Sequence, residues 1–242
     1  VTLYHTFFIP RPEVEKKPEG EKSSAKAIMQ EFGRTFVTYF TKPGLILAIL
    51  FMLLYRLPEA FLIKMCTPFL VASREVGGLG LSTENVGLAY GTIGVLFLTI
   101  GGILGGLYAS KVGLKKSLWW MAAGMTLPCL TFVYLAECLP SNIALISIAI
   151  AIEQFGYGFG FTAYMLYLML YARGANSTAH YSFCTGLMAL GMMLPGLVAG
   201  YLQESVGYLN FFIIVTVLCL LTFLVAFLVP LDEEEEPAEV EE

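Results

Sequence analysis

Aspartate is almost missing from this 242-residue sequence: Asp232, near the C-terminus, is the only one. Histidine occurs twice, as His5 and His180. A paired-aspartate protease and an HExxH zinc site are therefore both excluded. No GxSxG elbow and no phosphate-cradling GxxxxGKS or GxxxxGKT loop is present either. The five cysteines, Cys66, Cys129, Cys138, Cys184 and Cys219, stand singly without CxxC or metal spacing, and read as small core residues. No enzyme, metal or cofactor is expected. Charge is scarce too, at 14% of residues, where a soluble domain carries about a quarter. That is too little to coat a globule with water.

What fills the sequence is apolar: 57% of residues are hydrophobic, many in runs near the roughly 20 residues a bilayer-spanning helix requires. The chain reads as an all-α membrane protein. Six spans are expected, at about Gly44–Val71, Val86–Ala109, Leu118–Leu135, Ile143–Tyr171, Tyr181–Leu202 and Phe211–Val229, making residues 43–230 one transmembrane domain. Breakers mark the connections: Gly77-Gly78, Gly113, Pro140-Ser141, Gly174 and Gly207. Val1–Ile9, closed by Pro10 and Pro12, reads as the end of a preceding helix, and with no signal peptide the chain is expected to be a fragment. Residues 10–42 read as a linker carrying an interfacial helix, because Ile28, Phe32, Phe36 and Phe40 recur every four residues with Lys26, Gln30 and Arg34 between. Eight acids crowd the last eleven residues and set the net charge of −5, so 231–242 reads as a solvated, disordered tail.

The bases set the orientation. Arg11, Lys16, Lys17, Lys22, Lys26, Arg34, Lys42, Lys111, Lys115, Lys116 and Arg173 fall on one side of the spans, and only Arg74 on the other. Both ends are expected in the cytoplasm. Glycine is dense in the second span (Gly87, Gly91, Gly94, Gly101-Gly102, Gly105-Gly106) and the fifth (Gly186, Gly191, Gly196, Gly200), which favours close helix packing.

Ionisable residues inside the membrane are costly and mark function by default. The third and sixth spans have none. The first holds Arg56 and Glu59, with Pro58 between them expected to kink the helix, and Lys64 further out, about 140° around from Glu59. The fourth holds Glu153 and Gln154. Glu59 lies about 22 Å from the start of its span and Glu153 about 16 Å from the start of its own, so both sit near the middle of a core roughly 30 Å thick. Glu153, Tyr157, Gly160, Tyr164 and Tyr167 share one helix face. Two readings are open: Arg56 and Glu153 as a static ion pair amid packing tyrosines, or Arg56, Glu59, Glu153, Gln154, Tyr157, Tyr164 and Lys64 as a substrate and proton pathway with Glu153 as proton carrier. His180 reads as a plain interfacial histidine.

The polar residues open each of two helix triplets, as in the 3+3 inverted repeat within one half of a major facilitator transporter. GGLYASKVGLKK, 105–116, resembles that superfamily's cytoplasmic gating loop through Gly106, Lys111, Gly113, Lys115 and Lys116, with Ser110 where the pattern usually has Asp. LLYRLPEAF, VGLAYGTIGVLFLTIGGILGG, AIEQFGYGFGFTAYM, AHYSFCTGLMALGMM and PGLVAGYLQESVGY resemble the peptide and acetyl-CoA transporter family, particularly AmpG-like muropeptide permeases of bacterial inner membranes. The resemblance implies spans seven to twelve of such a permease and proton-coupled import of cell-wall sugar-peptides. Its partners would be membrane lipid, a sugar-peptide substrate and the N-terminal half of the same transporter, with no nucleic acid. An exporter of amphipathic small molecules and a nontransporting receptor on the same fold are the alternatives.

Overall fold

The computed structural model describes residues 25–174, 176–229 and 231, and every regular element among them is a helix. The stub 1–9, the linker as far as residue 24 and the tail from 232 lie outside the described residues.

Residues up to Tyr39 form a unit of their own, whose described element is α1 (Ala25–Phe40). Met29, Phe32, Phe36 and Val37 are solvent-exposed on it.

The second unit, from Phe40 onward, holds the remaining helices. They are α2 (Leu45–Leu54), α3 (Leu57–Val71), α4 (Thr83–Val86), α5 (Val95–Val112), α6 (Leu114–Thr126), α7 (Cys129–Cys138), α8 (Ile143–Ala172) and α9 (Ser177–Leu228). A π-helix, Gly87–Gly94, joins α4 to α5. Among the described residues, five helical stretches are long and apolar enough to cross a membrane: Leu45–Val71, Thr83–Val112, Leu114–Cys138, Ile143–Ala172 and Ser177–Leu228. The first four match the expected spans to within a few residues. The fifth differs, because the expected fifth and sixth spans run on as one helical stretch of 52 residues. Straight, it would reach about 78 Å, more than twice a bilayer core. It is not straight, since Gly207 adopts φ 78°, ψ 168° inside it. A side chain is strained at that φ, so glycine makes the break within a single residue and no loop is needed.

Proline sets two further interruptions. Pro58 has no N–H for the Leu54 carbonyl, and the chain leaves the helix at Tyr55-Arg56, with Arg56 at φ −101°, ψ 8°. Pro128 likewise parts α6 from α7, where an unbroken third span was expected. At the end of the molecule opposite Lys111, Arg74 donates to the Leu139 and Pro140 carbonyls at 2.7 and 2.9 Å, tying two connections together.

The core is aromatic at that same end. Phe69 meets Phe212 edge-on at 5.0 Å between centroids, and Phe132 lies 5.3 Å from Phe212. Four cysteines are buried as expected, but Cys138 is exposed at the end of α7. His180 is also corrected: the first turn of α9 buries it, so it is not a plain interfacial residue.

Candidate functional site

α8 is the central element, packing most extensively on α5 and α6. The reason is a run of alternate glycines. A Cβ on Gly158 would overlap the Leu98 carbonyl and come within 2.9 Å of the Gly102 amide. Cβ atoms on Gly156 and Gly160 would strike the Gly124 carbonyl and Met125 respectively. Gly124 is the residue whose carbonyl loses its helical donor to Pro128, so the bare backbone of α8 covers a carbonyl that has no helical partner. Gly101 and Gly105 complete the contact from α5, against the Phe155 and Phe159 carbonyls. The expected packing role holds for those two glycines, for Gly94 against Gln154 and Ile150, for Gly191 on Leu53 and for Gly196 under the Lys64 stem. Gly87, Gly91, Gly106, Gly186 and Gly200 meet nothing within 4 Å.

Seated this way, α8 turns its polar face toward the interrupted first span. Arg56 is 6% exposed, Glu59 2%, Glu153 4% and Gln154 4%, so four polar side chains expected at mid-membrane are all removed from solvent. Tyr164 and Tyr167 are buried beside them, and Tyr157 is half-buried. The stripe read from sequence is therefore one face.

Its contacts are not those of an ion pair. Arg56 Nη2 donates to the Tyr157 hydroxyl at 2.6 Å. The guanidinium carbon lies 4.3 Å from the Phe161 ring centroid, 5.4 Å from Tyr157 and 5.7 Å from Tyr164. Three ring faces thus solvate the cation. The Arg56–Glu153 pair, one of the two readings left open by the sequence, is absent among the described residues, and Phe161, which spacing did not single out, is the nearest of the three rings. Glu59 and Glu153 are close enough to repel one another as charges, and Arg56 acts on Glu59. Yet Glu59 Oε1, Glu153 Oε2, Gln154 Oε1 and Arg56 Nε have no hydrogen-bond partner.

The break itself is held from outside. Tyr164 donates its hydroxyl to the Met52 carbonyl at 2.7 Å, Thr222 to the Tyr55 carbonyl at 2.9 Å, and Tyr55 to the Gly160 carbonyl at 3.3 Å. In lipid such backbone groups must find internal partners. Tyr90, in the π-helix, comes from the second span into the electrostatic reach of Gln154, Glu59 and Glu153.

Lys64 is not part of this cluster. It is exposed, and its stem lies along α9, where a Cβ on Gly196 would come within 2.9 Å of Cε. In the loop between α5 and α6, Gly113 takes φ 80°, which a side chain would resist, and Lys111, Lys115 and Lys116 are exposed. Ser110 bonds only the Leu107 carbonyl of its own helix.

A membrane-embedded cluster of this kind, on interrupted helices packed through glycine, leaves the family to be decided. The sequence pattern of the Major Facilitator Superfamily matches residues 60–242. The chain belongs to that superfamily. It is 28% identical over 181 residues to "Putative transporter AmpG 1" of Rickettsia bellii (strain RML369-C), covering 75% of this chain and 42% of that protein. It is 26% identical over 196 residues to "Putative transporter AmpG 2" of Rickettsia prowazekii (strain Madrid E), covering 80% and 46%. Against "Anhydromuropeptide permease" of Escherichia coli (strain K12) it is 25% identical over 176 residues, covering 72% and 34%. The chain thus spans less than half the length of these curated relatives. Membership in this superfamily makes it a multi-pass membrane protein of a transporter family, and the relatives above make it similar to AmpG permeases.

Proposed function

We propose that the chain forms one half of a secondary active transporter, spans seven to twelve, that imports cell-wall muropeptides or related sugar-peptides with protons across a bacterial inner membrane. On this reading α9 supplies two spans, one on each side of Gly207, and the six spans form two inverted triplets. Both ends then face the cytoplasm, α1 lies in the membrane interface and Gly106, Lys111, Gly113, Lys115 and Lys116 form the cytoplasmic gating loop. The N-terminal half of the same transporter supplies the other wall of the pathway.

The observation that carries the proposal is the buried set Arg56, Glu59, Glu153 and Gln154, in which a guanidinium and two carboxyl groups lie close without pairing. A static pair pinning two helices would close the charges on each other. Here Arg56 is held by Tyr157 and ring faces, which leaves the carboxyl groups available to take up and release a proton. Tyr157, half-buried, is the surface on this face for a sugar-peptide, with Tyr164 packed behind it on the same pathway, and Lys64 stands further out. The similarity to proteins named as transporters and as an anhydromuropeptide permease supports the substrate class.

The test is uptake of labelled anhydromuropeptide by cells expressing the full-length protein. Glu153→Gln is expected to abolish proton-driven uptake while substrate exchange and detergent-extracted yield stay near wild type. Wild-type driven uptake in that variant would reduce Glu153 to a structural residue. Collapse of the yield would favour a packing role for the cluster, because removing one member of a buried charged set leaves the others uncompensated.

A further inference from the structure

We propose that the acidic segment 232–242 docks in cis on the basic loop between α5 and α6, with Lys111, Lys115, Lys116 and the N-terminal end of α6 as its seat. The inference goes beyond the transport reading and does not rest on it, since it needs only that the two segments share one end of the molecule.

That they share it follows from helix register. Trp119 of α6 stacks on Phe223 of α9 at 5.7 Å between ring centroids and meets Phe227 edge-on at 6.4 Å. Deeper along the same seam, the Cys219 thiol lies 3.8 Å from the Thr126 carbonyl. Residue numbers fall along α6 as they rise along α9, so the two helices run antiparallel. One turn outward from these rings, about 6 Å, the seam reaches Lys115 on α6 and Val229 at the end of α9. Asp232 follows within about 10 Å of extended chain. The acids therefore begin level with the loop.

Charge is the second observation. The loop stretch 105–116 holds three lysines and no acid, whereas 232–242 holds eight acids and no base. All three lysines are exposed. The start of α6 is the third. Its N-cap, Gly113 at φ 80°, has no side chain to offer the first amides, and the first turn holds no acidic residue. The first amides of a helix lack partners within it and form the positive end of its dipole, where a carboxylate is favoured. A glutamate from 232–242 supplies what that turn lacks.

A single exposed ion pair contributes little. Here the segment is already rooted beside its seat by the Trp119 contacts, so docking is an intramolecular event at high effective concentration. Anionic lipid headgroups suit the same lysines, but they lack this tether. A docked segment ties the loop between α5 and α6 to the end of α9, as a clasp that salt loosens.

The experiment is zero-length carbodiimide coupling of carboxyl to amine in the purified full-length protein in nanodiscs, read by peptide mass spectrometry. The expected result is coupling of 232–242 to Lys111, Lys115 or Lys116 within one molecule. It should fall about tenfold as added salt shortens the screening length from about 20 Å to about 4 Å. A glutamate-specific protease gives a second readout. Relative to the free 232–242 peptide, the segment should be cut about tenfold more slowly at low salt than at high salt. Combining Lys111→Gln, Lys115→Gln and Lys116→Gln should erase that difference. Coupling to the linker lysines instead, or only between molecules, overturns the proposal. So does wild-type cleavage at the same relative rate in both salts, which needs no variant to fold. Protection that persists in the folded triple variant also overturns it, because the segment then docks elsewhere. Exchanging neutral for anionic lipid in the nanodiscs tests the rival occupant. Loss of the coupling there assigns the loop to lipid headgroups and overturns the proposal, and retained coupling supports it.

Discussion

Gly158→Ala tests whether backbone contact is what seats α8. The added Cβ would overlap the Leu98 carbonyl and lie 2.9 Å from the Gly102 amide, where ordinary contact begins at 3.4 Å. Both obstacles are backbone, so no side chain can swing aside. α5 and α8 must part by roughly 0.5–1 Å, and a gap of that size forfeits about a quarter to a half of each dispersion contact across the seam. Overpacking of this kind typically costs about 1–3 kcal/mol. Gly106→Ala on the same seam helix is the control, because nothing lies within 4 Å of its new Cβ. Alanine there gains up to about 1 kcal/mol of helix propensity. The assay is the thermal midpoint of the full-length protein in detergent, with extracted yield as a second readout. Gly158→Ala should fall and Gly106→Ala should hold or rise. Equal midpoints for the two variants would refute the idea that this seam depends on bare backbone.

Two other expectations follow from the same geometry. Tyr164→Phe removes the hydroxyl that reaches the Met52 carbonyl from another helix; it should lower stability by about 0.6 kcal/mol, the average for such bonds in membranes, readable as a lower thermal midpoint of the full-length protein, and an unchanged midpoint would refute it. Reporter fusions after Pro140 and after Arg173 should report outside and inside respectively, and an external signal at Arg173 would refute the orientation drawn from the bases.

The spans were legible in the sequence because apolar length is a strong signal in itself. So was the break at Pro58, since proline removes a donor wherever it stands. The kink in α9 was half legible: Gly207 was marked as a breaker, but nothing in composition says that one residue suffices in place of a loop. The π-helix at Gly87–Gly94 has no sequence signal. The charges inside the apolar runs could be read and are buried, yet their partners could not. Spacing along a single helix cannot see Phe161 and Tyr157 competing for Arg56 from across the interface. The glycines of α8 were missed for a related reason. Spacings of three to five mark one face against one neighbour, whereas Gly156 and Gly160 face α6 and Gly158 faces α5. Alternation by two serves two neighbours at once.

The interruption at Tyr55-Arg56 acts as a riveted joint more than a loose hinge. Its rivets are the Tyr164 and Thr222 hydroxyls, each driven into a carbonyl from a different helix. Shearing both would cost only about 1.2 kcal/mol at the membrane average of ~0.6 per bond. Any displacement at this joint would carry the guanidinium with it, because Arg56 is the residue at which the helix is broken.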